Sequence, residues 1–224
     1  MAAESRPSPL QAMQVLAITE QRVTPTLRHL EIYTLGGLVT LLWHGDPSAS
    51  DVVLACGGAM GGVLGPGGGL YHDLGEALAP QGIAVVRVGY RRPNDLDACV
   101  HDLVATAELA SRSGAQRYIT MGHSFGGAVA LRAALLLKTM SCGVVTFATQ
   151  SAGCEVAGEL EVPLLLFHGD QDQILPMMAS EVVSQLCGHG ELVVLPGCDH
   201  LMAEGRPAMF DRLQTWIPDA FSRD

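Results

Sequence analysis

Lysine is almost missing from this 224-residue chain: Lys138 stands alone, and Lys and Arg together number 13 against 23 Asp and Glu. The formal net charge of −10 leaves no basic stripe for nucleic acid and no attraction to an anionic membrane surface. Charged residues of both signs make up only 16% and aromatics 5%, while hydrophobic residues reach 48%. A chain so poor in charge must bury several strands on both faces, as a parallel sheet does. No apolar run approaches the roughly 20 residues that span a bilayer. Residues 1–10 are polar and contain proline, with no signal-peptide core, so the expected location is cytoplasmic. The six cysteines (Cys56, Cys99, Cys142, Cys154, Cys187, Cys198) contain no C-x-x-C pair, and several lie inside apolar segments. Reduced, buried thiols are expected rather than a disulfide framework. No Cys/His spacing suggests a metal, no internal repeat is visible, and the length suits one α/β domain.

What is there is a regular alternation. Residues 1–25 read as an N-terminal arm, and 26–224 as a single domain. Two β-prone runs, 27–35 and 38–43, flank Gly36-Gly37 as a hairpin. Buried strands are expected at 51–56, 83–88, 118–121, 143–148, 162–167 and 191–195. Helices are expected at 71–80, 96–113, 125–139, 176–188 and 204–221. Alternation of this kind gives a mostly parallel sheet with helices on both faces. Arg91 and Arg92 are expected as surface ion pairs rather than as a grip on an acidic substrate.

The chemistry concentrates in residues 118–131. A short strand ends in Gly122-His123-Ser124-Phe125-Gly126, followed by an alanine-rich helix. A turn this tight strains Ser124 and holds its hydroxyl clear of the sheet at a helix N-terminus, where backbone N–H groups can receive a developing oxyanion. Residues 57–69 are the most glycine-rich part of the chain. They lack Gly-Lys-Ser/Thr and the dinucleotide-binding spacing, so phosphate-loop readings fail.

The pattern Gly-x-Ser-x-Gly resembles the nucleophile elbow of the α/β-hydrolase family, and the resemblance covers residues from about 30 to 220. It implies an acid and a histidine later in the chain. His168-Gly169-Asp170-Gln171-Asp172 is similar to the family's acid loop and puts Asp172 in the acid slot, with Asp170 as its rival. His200, after the last strand in Pro196-Gly197-Cys198-Asp199-His200, takes the place of the base, while His123 and His168 read as structural. Cys198 is a candidate pocket-lining thiol. Cys56-Gly57-Gly58 stands where the family commonly has His-Gly-x. The second oxyanion donor is then the N–H of Gly58, or Ala59 if the register slips, beside that of Phe125. The short connection over 149–161 leaves no room for a cap domain.

By this resemblance the chain is a serine hydrolase of the capless esterase, thioesterase or dienelactone-hydrolase-like branch. It would act on a small or medium acyl ester or thioester, with no cofactor and no metal. Its partner is a small-molecule acyl substrate, with no nucleic acid and no membrane insertion, and the oligomeric state is left open. A non-catalytic binding protein and an amidase or peptidase are the alternatives. Loss of a triad residue would favour the first and an added domain the second, and neither is seen.

Overall fold

The computed structural model describes residues 7–223. One nine-stranded sheet runs through it. The strands are β1 (Val15–Arg22), β2 (Leu27–Thr34), β3 (Gly37–His44), β4 (Asp51–Cys56), β5 (Ile83–Gly89), β6 (Arg117–His123), β7 (Ser141–Phe147), β8 (Leu164–Gly169) and β9 (Glu191–Leu195). Their spatial order is β1-β2-β3-β5-β4-β6-β7-β8-β9. β1, β2, β3 and β5 pair antiparallel, and every pair from β5-β4 to β8-β9 is parallel. The chain reverses its direction of travel across the sheet at β4, which leaves a crevice at the carboxyl ends of β4 and β6. Open parallel sheets bind their ligands in such a crevice.

The helices are α1 (Pro9–Ala12), α2 (Leu70–Leu78), α3 (Leu96–Ser113), α4 (Phe125–Leu137), α5 (Met178–Cys187) and α6 (Arg206–Phe221). Alternate residues of each central strand serve opposite layers. Val52 and Leu54 pack with Leu103 and Val129 of α3 and α4, whereas Val53 joins Leu74 and Trp216 of α2 and α6. That period of two explains why the strands read as continuous apolar runs: both faces are covered. Asp95 starts α3 by accepting the Ala98 N–H at 3.1 Å, and Gly114 ends it at φ 130.

The expected arm is partly sheet. Residues 1–6 lie outside the described part, but β1 pairs with β2 along its length and forms the sheet edge. Its sequence, Val-Leu-Ala-Ile-Thr-Glu-Gln-Arg, gives little sign of this because the strand is exposed on both faces and needs no alternation. Arg91 departs from its expected role as well. Its Nε donates to Asp102 at 2.6 Å, and the Asp102 side chain is fully buried, so the pair is internal rather than a surface one. Between β7 and β8 the connection holds a single 3-10 turn, Glu155–Glu159, and no cap. Among the described residues no helix is long and apolar enough to cross a membrane.

Candidate active site

Ser124 sits between β6 and α4 at φ 57 and ψ −119, a conformation that costs on the order of 1–3 kcal/mol for a residue with a Cβ. Packing imposes it. A Cβ on Gly122 would run into the Gly126 carbonyl, and one on Gly126 would run into the Gly57 carbonyl. The Ser124 N–H donates to the Phe147 carbonyl at 2.7 Å, which ties the turn to β7. The Ser124 side chain makes no capping bond to the helix, so the hydroxyl is not committed to the backbone.

Asp172 and His200 meet. His200 Nδ1 lies 2.7 Å from Asp172 Oδ2, with the carboxylate side chain fully shielded. Asp172 Oδ1 accepts the N–H groups of Ile174 at 2.8 Å and Leu175 at 2.9 Å, an Asx-type turn that aims Oδ2 at the histidine. Burial pushes this carboxyl up, but the two N–H groups and His200 outweigh it and hold it below the usual carboxylate range. An ionised Asp172 fixes the proton on Nδ1 and leaves Nε2 as the basic nitrogen. Asp170, the rival acid, does not reach His200. Its Oδ1 accepts the Gly197 N–H at 2.7 Å and so ties the acid loop to the histidine loop.

Two further histidines support the pair. His123 Nε2 donates to the His200 carbonyl at 2.9 Å, and the two rings lie 4.9 Å apart. Desolvation, with the neighbouring His200 adding to it, lowers the His123 pKa to about 4, so this ring is a neutral prop. His168 Nε2 is 3.0 Å from the Leu175 carbonyl and 3.2 Å from Asp172 Oδ2, while its Nδ1 accepts from Ser180 at 2.6 Å. Among the described residues no hydrogen bond joins Ser124 Oγ to His200, so the Asp–His half is closed and the Ser–His half is not.

The glycine-rich loop borders the serine. A Cβ placed on Gly58 would stand 3.6 Å from the Ser124 Cβ, and Gly58 turns back on itself through the Gly61 N–H at 2.9 Å. Two buried phenols hold the start of this loop: Tyr71 Oη donates to the Cys56 carbonyl and Tyr90 Oη to that of Gly57, each at 3.0 Å. The sequence reading missed both. A tyrosine in an otherwise apolar helix face, or at a strand end, carries no signal until its hydroxyl finds a carbonyl. Farther along, the Gly67 N–H donates to the Leu201 carbonyl at 2.7 Å, and Arg206 pairs with Asp73. The loop is therefore fastened to the segment that carries His200.

Neither cysteine near the site is set up to react. Burial pushes the Cys56 thiol up to about 12, and it lies 3.4 Å from the Met121 carbonyl and 3.5 Å from that of Gly126, under the elbow. Cys56 is thus a small, neutral filler beneath the elbow. Cys198 is buried too, packed where a Cβ on Gly205 would touch its sulfur.

Residues 94–217 match the phospholipase/carboxylesterase family, so the chain belongs to that family and is an ester hydrolase of the α/β-hydrolase fold. The matched region includes Ser124, Asp172 and His200 and leaves out the glycine-rich loop. No curated protein matches the chain. Among solved structures, the chain is similar to Est1E from Butyrivibrio proteoclasticus, with 16% identity over 87% of this chain and 99% of that one, and a TM-score of 0.73. Dienelactone hydrolase from Anabaena variabilis gives 17% identity, 92% and 98% coverage and a TM-score of 0.71. An α/β serine hydrolase homologue from Coxiella burnetii gives 19%, 86% and 100%, and 0.68. Identities this low speak for the fold alone.

Proposed function

We propose that Ser124, His200 and Asp172 form a catalytic triad that cleaves a small or medium acyl ester or thioester through an acyl-enzyme. His200 Nε2 takes the Ser124 proton as Oγ attacks the carbonyl carbon. The N–H groups of Phe125 and Gly58 receive the oxyanion. The C–O or C–S bond then breaks, and His200 returns the proton to the leaving alcohol or thiol. Water, deprotonated by the same histidine, releases the acid and restores Ser124. The observation that carries this reading is the shielded 2.7 Å Asp172–His200 contact, whose loops close on a serine held at positive φ.

An acyl substrate suits the surroundings. Met60 and Leu64 after β4, Ile174 and Met178 after β8, and Leu201 beside the histidine are all large, apolar and exposed. Met178 opens α5 and the others lie on loops at the carboxyl edge, where an acyl chain would find apolar surface. The domain is taken as residues 26–224, with β1 as an addition at the sheet edge.

Intact-mass analysis after treatment with a fluorophosphonate probe tests the nucleophile. Stoichiometric labelling of the wild type and none of Ser124→Ala is expected. Equal labelling of the two would assign the reactive group elsewhere, and absence of labelling in the folded wild type would favour a binding role. p-Nitrophenyl esters and thioesters of increasing chain length then define the acyl group.

A further inference from the structure

Away from Ser124, at the opposite end of the strands, three unlike side chains converge. His44 closes β3 and pairs in register with Val85, three residues back along β5 from Val88, which stands level with Cys56 at the catalytic edge. His72 and Glu76 lie four apart on α2 and so project from one face of the helix. One ligating atom from each falls within 4.8 Å of the other two. We propose that His44, His72 and Glu76 bind a divalent transition-metal ion of the zinc class.

His44 Nδ1 is 3.0 Å from Glu76 Oε1. A tetrahedral zinc with bonds of about 2.0–2.1 Å separates its ligands by roughly 3.3 Å, so these two atoms already stand at ligand spacing. His72 is exposed, with its ring 5.2 Å from that of His44, and it closes on an ion by rotation of its own side chain. The His44 ring is fully buried and its Nε2 has no partner, so among the described residues Glu76 is the only group its ring nitrogens reach. The site also looks built. Gly75 lies in the interior of α2, where glycine is disfavoured, and a Cβ there would enter the His44 ring. Thr26 Oγ1 donates to both Glu76 oxygens at 3.3 Å, which orients the carboxylate without blocking it.

The opposing feature is Arg87, a buried cation near His44. Desolvation lowers the Arg87 pKa, while the Glu76 charge acts against that by raising it. Two imidazoles and one carboxylate favour zinc, cobalt or nickel over calcium or magnesium, which take oxygen ligands. Spacing in the sequence does not reveal the site, because His-x-x-x-Glu is common on helices and the third ligand comes from a strand 28 residues earlier.

Zinc titration of the metal-stripped full chain by calorimetry, with Co2+ absorption as a second probe, tests the proposal. One equivalent is expected to bind the wild type, with a raised thermal midpoint. His72→Ala, a surface change, is expected to bind at least 10-fold more weakly and to lose that rise, as is Glu76→Gln. His200→Ala is expected to bind as the wild type does. The cobalt complex should show tetrahedral d–d bands without thiolate charge transfer. Unchanged affinity in His72→Ala, lost affinity in His200→Ala, a thiolate band or no 1:1 binding would each overturn the proposal.

Discussion

Asp170 and Asp172 are two residues apart in one loop, and their hydrogen bonds separate them completely. Asp172 accepts from two backbone N–H groups and from His200, whereas Asp170 accepts from Gly197 and is exposed. Asp172→Asn should lower kcat on the order of 10⁴-fold by offering His200 the wrong tautomer. Asp170→Asn keeps an oxygen for Gly197 and should cost less than about 10-fold. Similar losses from both variants in steady-state kinetics would remove Asp172 from its role. His123 makes a second residue-scale prediction. Its pKa is about 4 in the folded chain, against roughly 6.5 in the unfolded chain. The unfolded chain therefore takes up a proton between those values while the folded one does not. Stability is full above about pH 6.5 and falls with pH down to about pH 4, by as much as ~3 kcal/mol from this group. Urea unfolding at pH 7 and pH 5 reads that slope, and His123→Gln, which keeps a donor for the His200 carbonyl, should reduce it.

At the scale of elements, the elbow and the glycine-rich loop are one interlocked unit. Gly126 abuts the Gly57 carbonyl, and Tyr90 Oη donates to the same carbonyl at 3.0 Å. Tyr90→Phe removes only the hydroxyl and leaves the buried ring against Phe125. If the Gly58 N–H receives the oxyanion, kcat should fall about 10-fold or more with KM nearly unchanged, since the donor matters most in the transition state. A change confined to thermal stability would reduce Tyr90 to a packing residue. Gly126→Ala should be far more damaging, because backbone atoms and no flexible side chain stand in the way of the new methyl.

The central strands of the sheet are covered on both faces, and the thiols report on that cover. Cys56, Cys99, Cys154, Cys187 and Cys198 are buried and Cys142 is half-buried, with none paired. Desolvation pushes Cys99 to about 12 and Cys154 to about 11. Ellman's reagent should therefore modify at most one thiol quickly in the native protein and all six in denaturant. Rapid native modification of several would mean that the helical layers open readily.

The sequence by itself determined the alternation of strands and helices, the elbow around Ser124 and the chain order of the proposed serine, acid and histidine. These are local matters: apolar periodicity, glycine where a Cβ cannot fit, and turn residues at strand ends. α3 and β9 fall at their expected bounds because each lies between clear stop signals. Tertiary structure alone decided whatever depends on a partner distant in the chain. It set His200 against Asp172 and not Asp170, by bringing residue 200 to one of two nearby carboxylates. It made β1 a strand, since an edge with both faces in solvent is stabilised by its backbone pairing with β2 and not by a hydrophobic pattern. It also aimed Tyr71 and Tyr90 at the start of the glycine-rich loop and set His44 against α2. A hydrogen bond or ligand cluster between residues tens of positions apart leaves no periodicity in the sequence, and forms only when the sheet order places its members side by side.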